Sequence, residues 1–196
     1  MWAIEEAKRN EGFNRICGVD EAGRGPLAGP VYAAAVILPI GIKIPELNDS
    51  KKLSEKKRNF LFDQIIEKAL SYAVASADNK EIDELNIQNA TYLAMNRAIA
   101  ALSLEPDICL IDGNRCSGIT YLSDPIVGGD GKSASIAAAS ILAKVSRDRY
   151  MTKIAEIYPD YAFPQHKGYG TKLHYERLHE FGPCKIHRVS FLKGFN

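Results

Sequence analysis

The 196-residue chain has no long hydrophobic run and a formal net charge of only +1. Its longest apolar stretches, residues 31–38 and 136–143, fall far short of the ~20 residues that a membrane-spanning helix needs. The first ten residues are charged and hold no apolar signal core. Of the four cysteines (Cys17, Cys109, Cys116, Cys184), no two are spaced as CxxC, which argues against a zinc ribbon and a disulfide scaffold. Cys17 and Cys109 sit in apolar, strand-like runs, where free cysteine behaves as a small hydrophobe. The expectation is a reduced, soluble, cytoplasmic protein with no membrane partner, and a monomer. Internal repeats and low-complexity linkers are also lacking.

The hydrophobic fraction of 46% is ordinary, so the chain can bury a full core. A near-zero net charge neither implies nor excludes a nucleic-acid partner; the distribution of charge matters more. Residues 159–196 hold six Lys/Arg against three acids, and all four histidines. This tail reads as the polyanion-facing surface.

Apolar patterning divides the chain into alternating helices and strands around a mixed central sheet, an α/β arrangement. A lead-in helix or loose arm covers 1–14, and strands are expected at 16–20, 31–38, 72–77, 108–111 and near 126–127. Helices are expected from an N-cap at Ser54 to about 70, over 79–104 with a break near Asn86, over 135–158, and over about 172–180. Residues 1–158 read as the core of one domain and 159–196 as a small C-terminal appendage of the same compact unit.

The organising stretch is residues 16–30, in which a short apolar run ends in Asp20 and Glu21, followed by Gly23, Arg24, Gly25 and Gly29. Adjacent strand residues face opposite sides, so the two acids are expected to share a site through a strand break that the glycines permit. The glycine spacing admits a dinucleotide-binding reading, but that requires a helix immediately afterwards. Pro26, Pro30 and a strand-like run follow instead. Two more strand ends carry acids, Asp112 and Asp130. Either alone is an ordinary turn former, but strand ends on one sheet edge are where α/β proteins place their sites. Acids gathered there would repel one another unless a cation sat among them, and Mg²⁺ or Mn²⁺ prefers such oxygen ligands. Two such ions can activate water and stabilise the leaving oxygen of a phosphodiester. Asp148, flanked by Arg147 and Arg149 inside an expected helix, is the rival fourth acid and ranks behind Asp130.

Residues 20–30 (DEAGRGPLAGP) strongly resemble the signature of type 2 ribonucleases H, the ribonuclease HII family. Further matches lie at Asp49-Ser50-Lys51-Lys52-Leu53, at Ile111-Asp112-Gly113, over 135–145, and over 166–171 (HKGYGT). The resemblance implies a ribonuclease H-like fold with a small C-terminal helical part, and cleavage of RNA paired with DNA. It also implies a cut 5′ of a lone ribonucleotide in duplex DNA, serving the removal of misincorporated ribonucleotides and RNA primers. By matching position, Asp20, Glu21, Asp112 and Asp130 would be the metal-binding catalytic carboxylates. Gly23, Arg24 and Gly25 would contact the ribonucleotide, and Tyr169 would pack on its sugar and sense the 2′-OH. Lys51 is a candidate phosphate contact, with Lys52, Lys144 and Lys167 read as phosphate contacts or surface charge. Cys184-x-x-His187 is half of a zinc pattern and lacks its second pair. His166 is expected to orient the Tyr169 loop or meet the nucleic-acid backbone.

Overall fold

The structure, a computed structural model, describes residues 1–192. Its strands are β1 (Ile16–Ala22), β2 (Val31–Ile37), β3 (Ser71–Ala77), β4 (Ile108–Asp112) and β5 (Ser123–Ile126). They form one mixed sheet in the order β3-β2-β1-β4-β5. β1–β2 and β2–β3 pair antiparallel, while β1–β4 and β4–β5 pair parallel. The helices are α1 (Ala3–Asn10), α2 (Glu55–Lys68), α3 (Asn79–Leu85), α4 (Ile87–Ala100), α5 (Ala134–Ile154), α6 (Phe163–His166) and α7 (Lys172–Phe181).

The non-alternating apolar runs of β1, β2 and β4 are explained by burial on both faces. Cys17, Val19, Ala33, Ala35 and Ile111 pack under α4. Ala34 and Val36 pack under α5 and α2 on the opposite face. Ser54 caps α2 by accepting from the Lys57 amide, and Asn86, at φ 68°, separates α3 from α4 and caps the latter.

α5 lies almost on the backbone of β1. A Cβ on Gly18 would fall 2.1 Å from the carbonyl carbon of Ser135, so this helix–strand approach admits only glycine. The N-terminus of α5 is fastened by Ser133, and by buried Glu5 of α1, whose Oε1 accepts from Ser133 Oγ at 2.6 Å and the Ser135 amide at 2.9 Å.

Three expectations are corrected. The outer strand lies at Ser123–Ile126 rather than 126–127, with Val127 exposed beyond it; Pro125 is tolerated because β5 is an edge. α5 ends at Ile154, and turns carry the chain to Tyr158. The expected break between Asp20 and Glu21 is absent, since β1 stays paired through Ala22 and the chain turns only at Gly23, at φ +97°.

Past α5, Tyr161, Phe163, Leu178 and Ile186 form an apolar cluster with Leu27, Ala28 and Met151. The tail is therefore packed against the glycine-rich loop. Of its basic residues, Lys193 lies outside the described residues.

Candidate active site

The acids arrive from neighbouring strand ends. Parallel pairing of β1 with β4 sets Val19 beside Ile111, which brings Asp20 and Asp112 to the same edge. Asp130 sits in a tight turn, Gly129–Gly131, entered through Gly128 in the left-handed region at φ 64°. Asp20, Asp112 and Asp130 each offer an oxygen, and the three atoms lie within 4.8 Å of one another. Glu21 is outside this set because regular strand geometry turns it toward α4. It nonetheless lines the same cleft, and its carboxylate meets Arg24 at 3.5 Å.

The electrostatics are those of crowded, buried anions. Burial raises Asp20 well above the usual carboxylate range, and the charges of Glu21 and Asp112 push it further. Burial likewise raises Glu21, against the pull of Arg24. Asp112 is raised by burial and by Asp130, although it accepts the Gly129 amide at 2.7 Å. Ser140 of α5 offers its hydroxyl to Asp20 and shares a 2.9 Å hydrogen bond with Ser50. An all-oxygen carboxylate set of this kind fits a hard divalent cation, which would lower the cost of keeping the acids ionised together.

The cleft, about 220 Å³, is lined by Asp20, Glu21, Asp112, Lys51 and Lys144, with Gly23, Arg24, Gly25 and Tyr169 along one wall. Lys51 Nζ stands 3.2 Å from Asp130, so in this structure it meets a carboxylate. Lys52 pairs with Asp49 at 3.8 Å, and Lys167 donates to Thr152 at 2.9 Å. Asp148 pairs with Lys144 at 2.8 Å and lines a separate groove between α2 and α5, apart from the acid cluster.

The expected polyanion-facing tail is corrected in part: Arg188, His166, His174 and His187 are buried. His166 accepts the Gly168 amide at 3.2 Å and serves the Tyr169 loop from beneath, out of reach of nucleic acid. His187 is turned into its own loop by the Cys184 amide at 2.9 Å and, among the described residues, belongs to no metal cluster. Two residues had no reading of their own in the sequence. Arg147, which had only flanked Asp148, donates to the carbonyls of Pro30, Ala28 and Lys167. Arg188 donates to those of Gly29, Arg24 and Gly23. Neither carries a signal in its flanking residues: Arg147 lies between Ser146 and Asp148, and Arg188 follows His187 in a basic stretch.

A mixed sheet with carboxylates at its adjoining strand ends, flanked by helices, defines the class: a ribonuclease H-like α/β nuclease. The Ribonuclease HII family model matches residues 17–193, and the chain belongs to that family. It is 58% identical over 190 residues to ribonuclease HII of Caldicellulosiruptor bescii, covering 97% of this chain and 92% of that one. Ribonuclease HII of Endomicrobium trichonymphae is 60% identical over 183 residues, 93% of this chain and 87% of its own. Among solved structures, ribonuclease H2 of Pyrococcus horikoshii superposes with a TM-score of 0.75 at 26% identity, over 90% of this chain and 93% of that one. The chain is thus a divalent-metal-dependent endoribonuclease acting on the RNA of RNA–DNA hybrids. Among the described residues, no helix is long and apolar enough to cross a membrane.

Proposed function

We propose that this enzyme cuts duplex DNA on the 5′ side of a single embedded ribonucleotide, as well as longer RNA–DNA hybrids, leaving 3′-hydroxyl and 5′-phosphate ends. One observation carries the reading: Asp20 and Asp112, which cluster with Asp130, line the same cleft as the Gly23–Gly25 turn and Tyr169. Asp20, Asp112 and Asp130, with Glu21 at the rim, would hold two Mg²⁺ or Mn²⁺ ions. Bound ions of this kind supply an acidified water and charge stabilisation at the scissile phosphate.

The protein's own groups do the rest. The Gly-Arg-Gly turn brings backbone polar groups to the ribonucleotide without a side-chain barrier, and Arg24 adds a guanidinium for phosphate. Tyr169, exposed over the cleft and 3.7 Å from the position of a Cβ on Gly25, would pack on the sugar that carries the 2′-OH. Lys51 would exchange Asp130 for a substrate phosphate. We read 1–158 as the catalytic core and 159–196 as its substrate-contacting extension, in a cytoplasmic monomer engaged in removing misincorporated ribonucleotides and primers. The test is a labelled duplex with one ribonucleotide, incubated with Mg²⁺ or Mn²⁺. A single cut 5′ of the ribose, absent from an all-deoxy duplex, is expected; an intact strand with both metals overturns the proposal.

A further inference from the structure

Arg147 and Arg188 are fully buried, yet all their hydrogen bonds go to backbone carbonyls and none to a carboxylate. Burying an uncompensated guanidinium is costly, and Arg188 is brought down to about 9 by burial and by the neighbouring charge of Arg147. Six carbonyl acceptors in all, five of them between Gly23 and Pro30, are arranged around these two side chains.

The direction of those carbonyls has a stereochemical consequence. In a trans peptide the C=O and the following N–H point opposite ways, and the described chain has no cis bond. Arg188 holds the Gly23 carbonyl at 2.6 Å and the Arg24 carbonyl at 2.8 Å on its inner side. The amides of Arg24 and Gly25 are thereby turned outward. Both residues are exposed on the cleft wall, and neither amide has an acceptor among the described residues. The third carbonyl held by Arg188 is that of Gly29, whose successor, Pro30, has no N–H. Gly23 must be glycine for this: its φ is +97°, and a Cβ would lie 2.0 Å from Arg147 Nε.

We propose that Arg188, seconded by Arg147, is a positioning residue for substrate selection. It presets the amides of Arg24 and Gly25 as an outward donor pair for ribonucleotide oxygens. This rests on the reading of the Gly-Arg-Gly turn given above. Two donors fixed before binding need no reordering when the ligand arrives, so their loss falls on affinity rather than on the chemical step.

The experiment compares Arg188→Lys with wild type on duplex DNA carrying one ribonucleotide. Lysine keeps the charge but lacks the fork that grips two carbonyls at once. KM is expected to rise roughly 10–100-fold, the loss associated with charge-assisted hydrogen bonds, with kcat within about threefold. Mn²⁺ affinity by calorimetry is expected to be unchanged, and millimolar guanidinium is expected to lower the raised KM of Arg188→Ala. An unchanged KM, or kcat and Mn²⁺ affinity falling together, overturns the proposal and leaves Arg188 a fold-holding residue. A measurement on the wild type covers variants that fail to fold: amide resonances of the metal-free protein titrated with the same duplex. Arg24 and Gly25 should shift. If Tyr169 shifts and these amides do not, the donor-pair proposal falls alone; if none of the three moves, the ribose-sensing reading falls with it.

Discussion

The Nε2 atoms of His174 and His187 lie 3.0 Å apart, and only one proton fits between them. His174 Nδ1 donates to the Tyr169 carbonyl at 3.0 Å, so its Nε2 is the acceptor. His187 accepts the Cys184 amide at Nδ1, so its Nε2 carries the hydrogen. The pair is neutral with both tautomers determined, and it ends on the backbone of Tyr169, which lines the cleft.

Burial holds both histidines down to about 4, against 6.5 for the ordinary side chain. Between those values the unfolded chain binds more protons than the folded one, so stability rises with pH there. Their contribution is complete above about 6.5 and is lost as pH falls toward 4, by roughly 3 kcal/mol for each histidine with a shift of this size. Urea melts at pH 7, 6 and 5 should show the decline, and a His187→Gln variant should flatten it. A wild-type stability independent of pH across that window would contradict the assignment.

Asp20→Asn removes a cluster oxygen's charge while keeping the shape of the side chain. Cleavage should fall by about three orders of magnitude, several kcal/mol of charge stabilisation, while duplex binding in a gel-shift assay stays within a few-fold. Mn²⁺ affinity should drop in parallel. Full activity would place the metal elsewhere.

Lys51→Ala removes a cation that now touches Asp130. The variant should bind Mn²⁺ at least as well as wild type. The slope of log binding constant against log salt for the duplex should shrink by about one. An unaltered slope would mean that Lys51 never leaves the carboxylate for phosphate.

Tyr169→Ala should raise KM for the single-ribonucleotide duplex by roughly tenfold or more, with Mn²⁺ affinity unchanged, since one packed ring contributes on the order of 1–3 kcal/mol to nucleic-acid binding. Equal KM values for the two proteins would remove Tyr169 from the recognition wall.

Gly18→Ala should destabilise the fold by roughly 1–3 kcal/mol, because the added methyl meets the Ser135 backbone at 2.1 Å and neither partner is a flexible side chain. Denaturant melts measure this directly. A neutral result would show that α5 can move off the sheet freely.

Much of the architecture was legible from apolar runs and punctuation. Ser54 caps its helix and the chain breaks at Asn86 where their positions indicated, and the acids of β1 and β4 meet because parallel strands place their carboxyl ends together. The misreadings have physical causes. The Asp20–Glu21 pair needed no strand break, since the site straddles the sheet edge, with one acid toward α5 and the other toward α4. β5 hid behind Ser123, Asp124 and Pro125, residues that only an edge strand accepts. Arg188 looked like one more basic residue in a basic tail, because its partners are carbonyls, and carbonyls leave no mark in a sequence.

α5 touches the acid cluster through Ser140 and the glycine-rich loop through Arg147, two turns later on the same helix. Seven residues at about 1.5 Å each set these points about 10 Å apart. The helix is therefore a ruler between the acid cluster and the loop that we propose reads the sugar. Inserting one residue between them would slide the marks by about 1.5 Å and swing them through about 100°. On the proposed reading, the cutting register is a property of helix geometry.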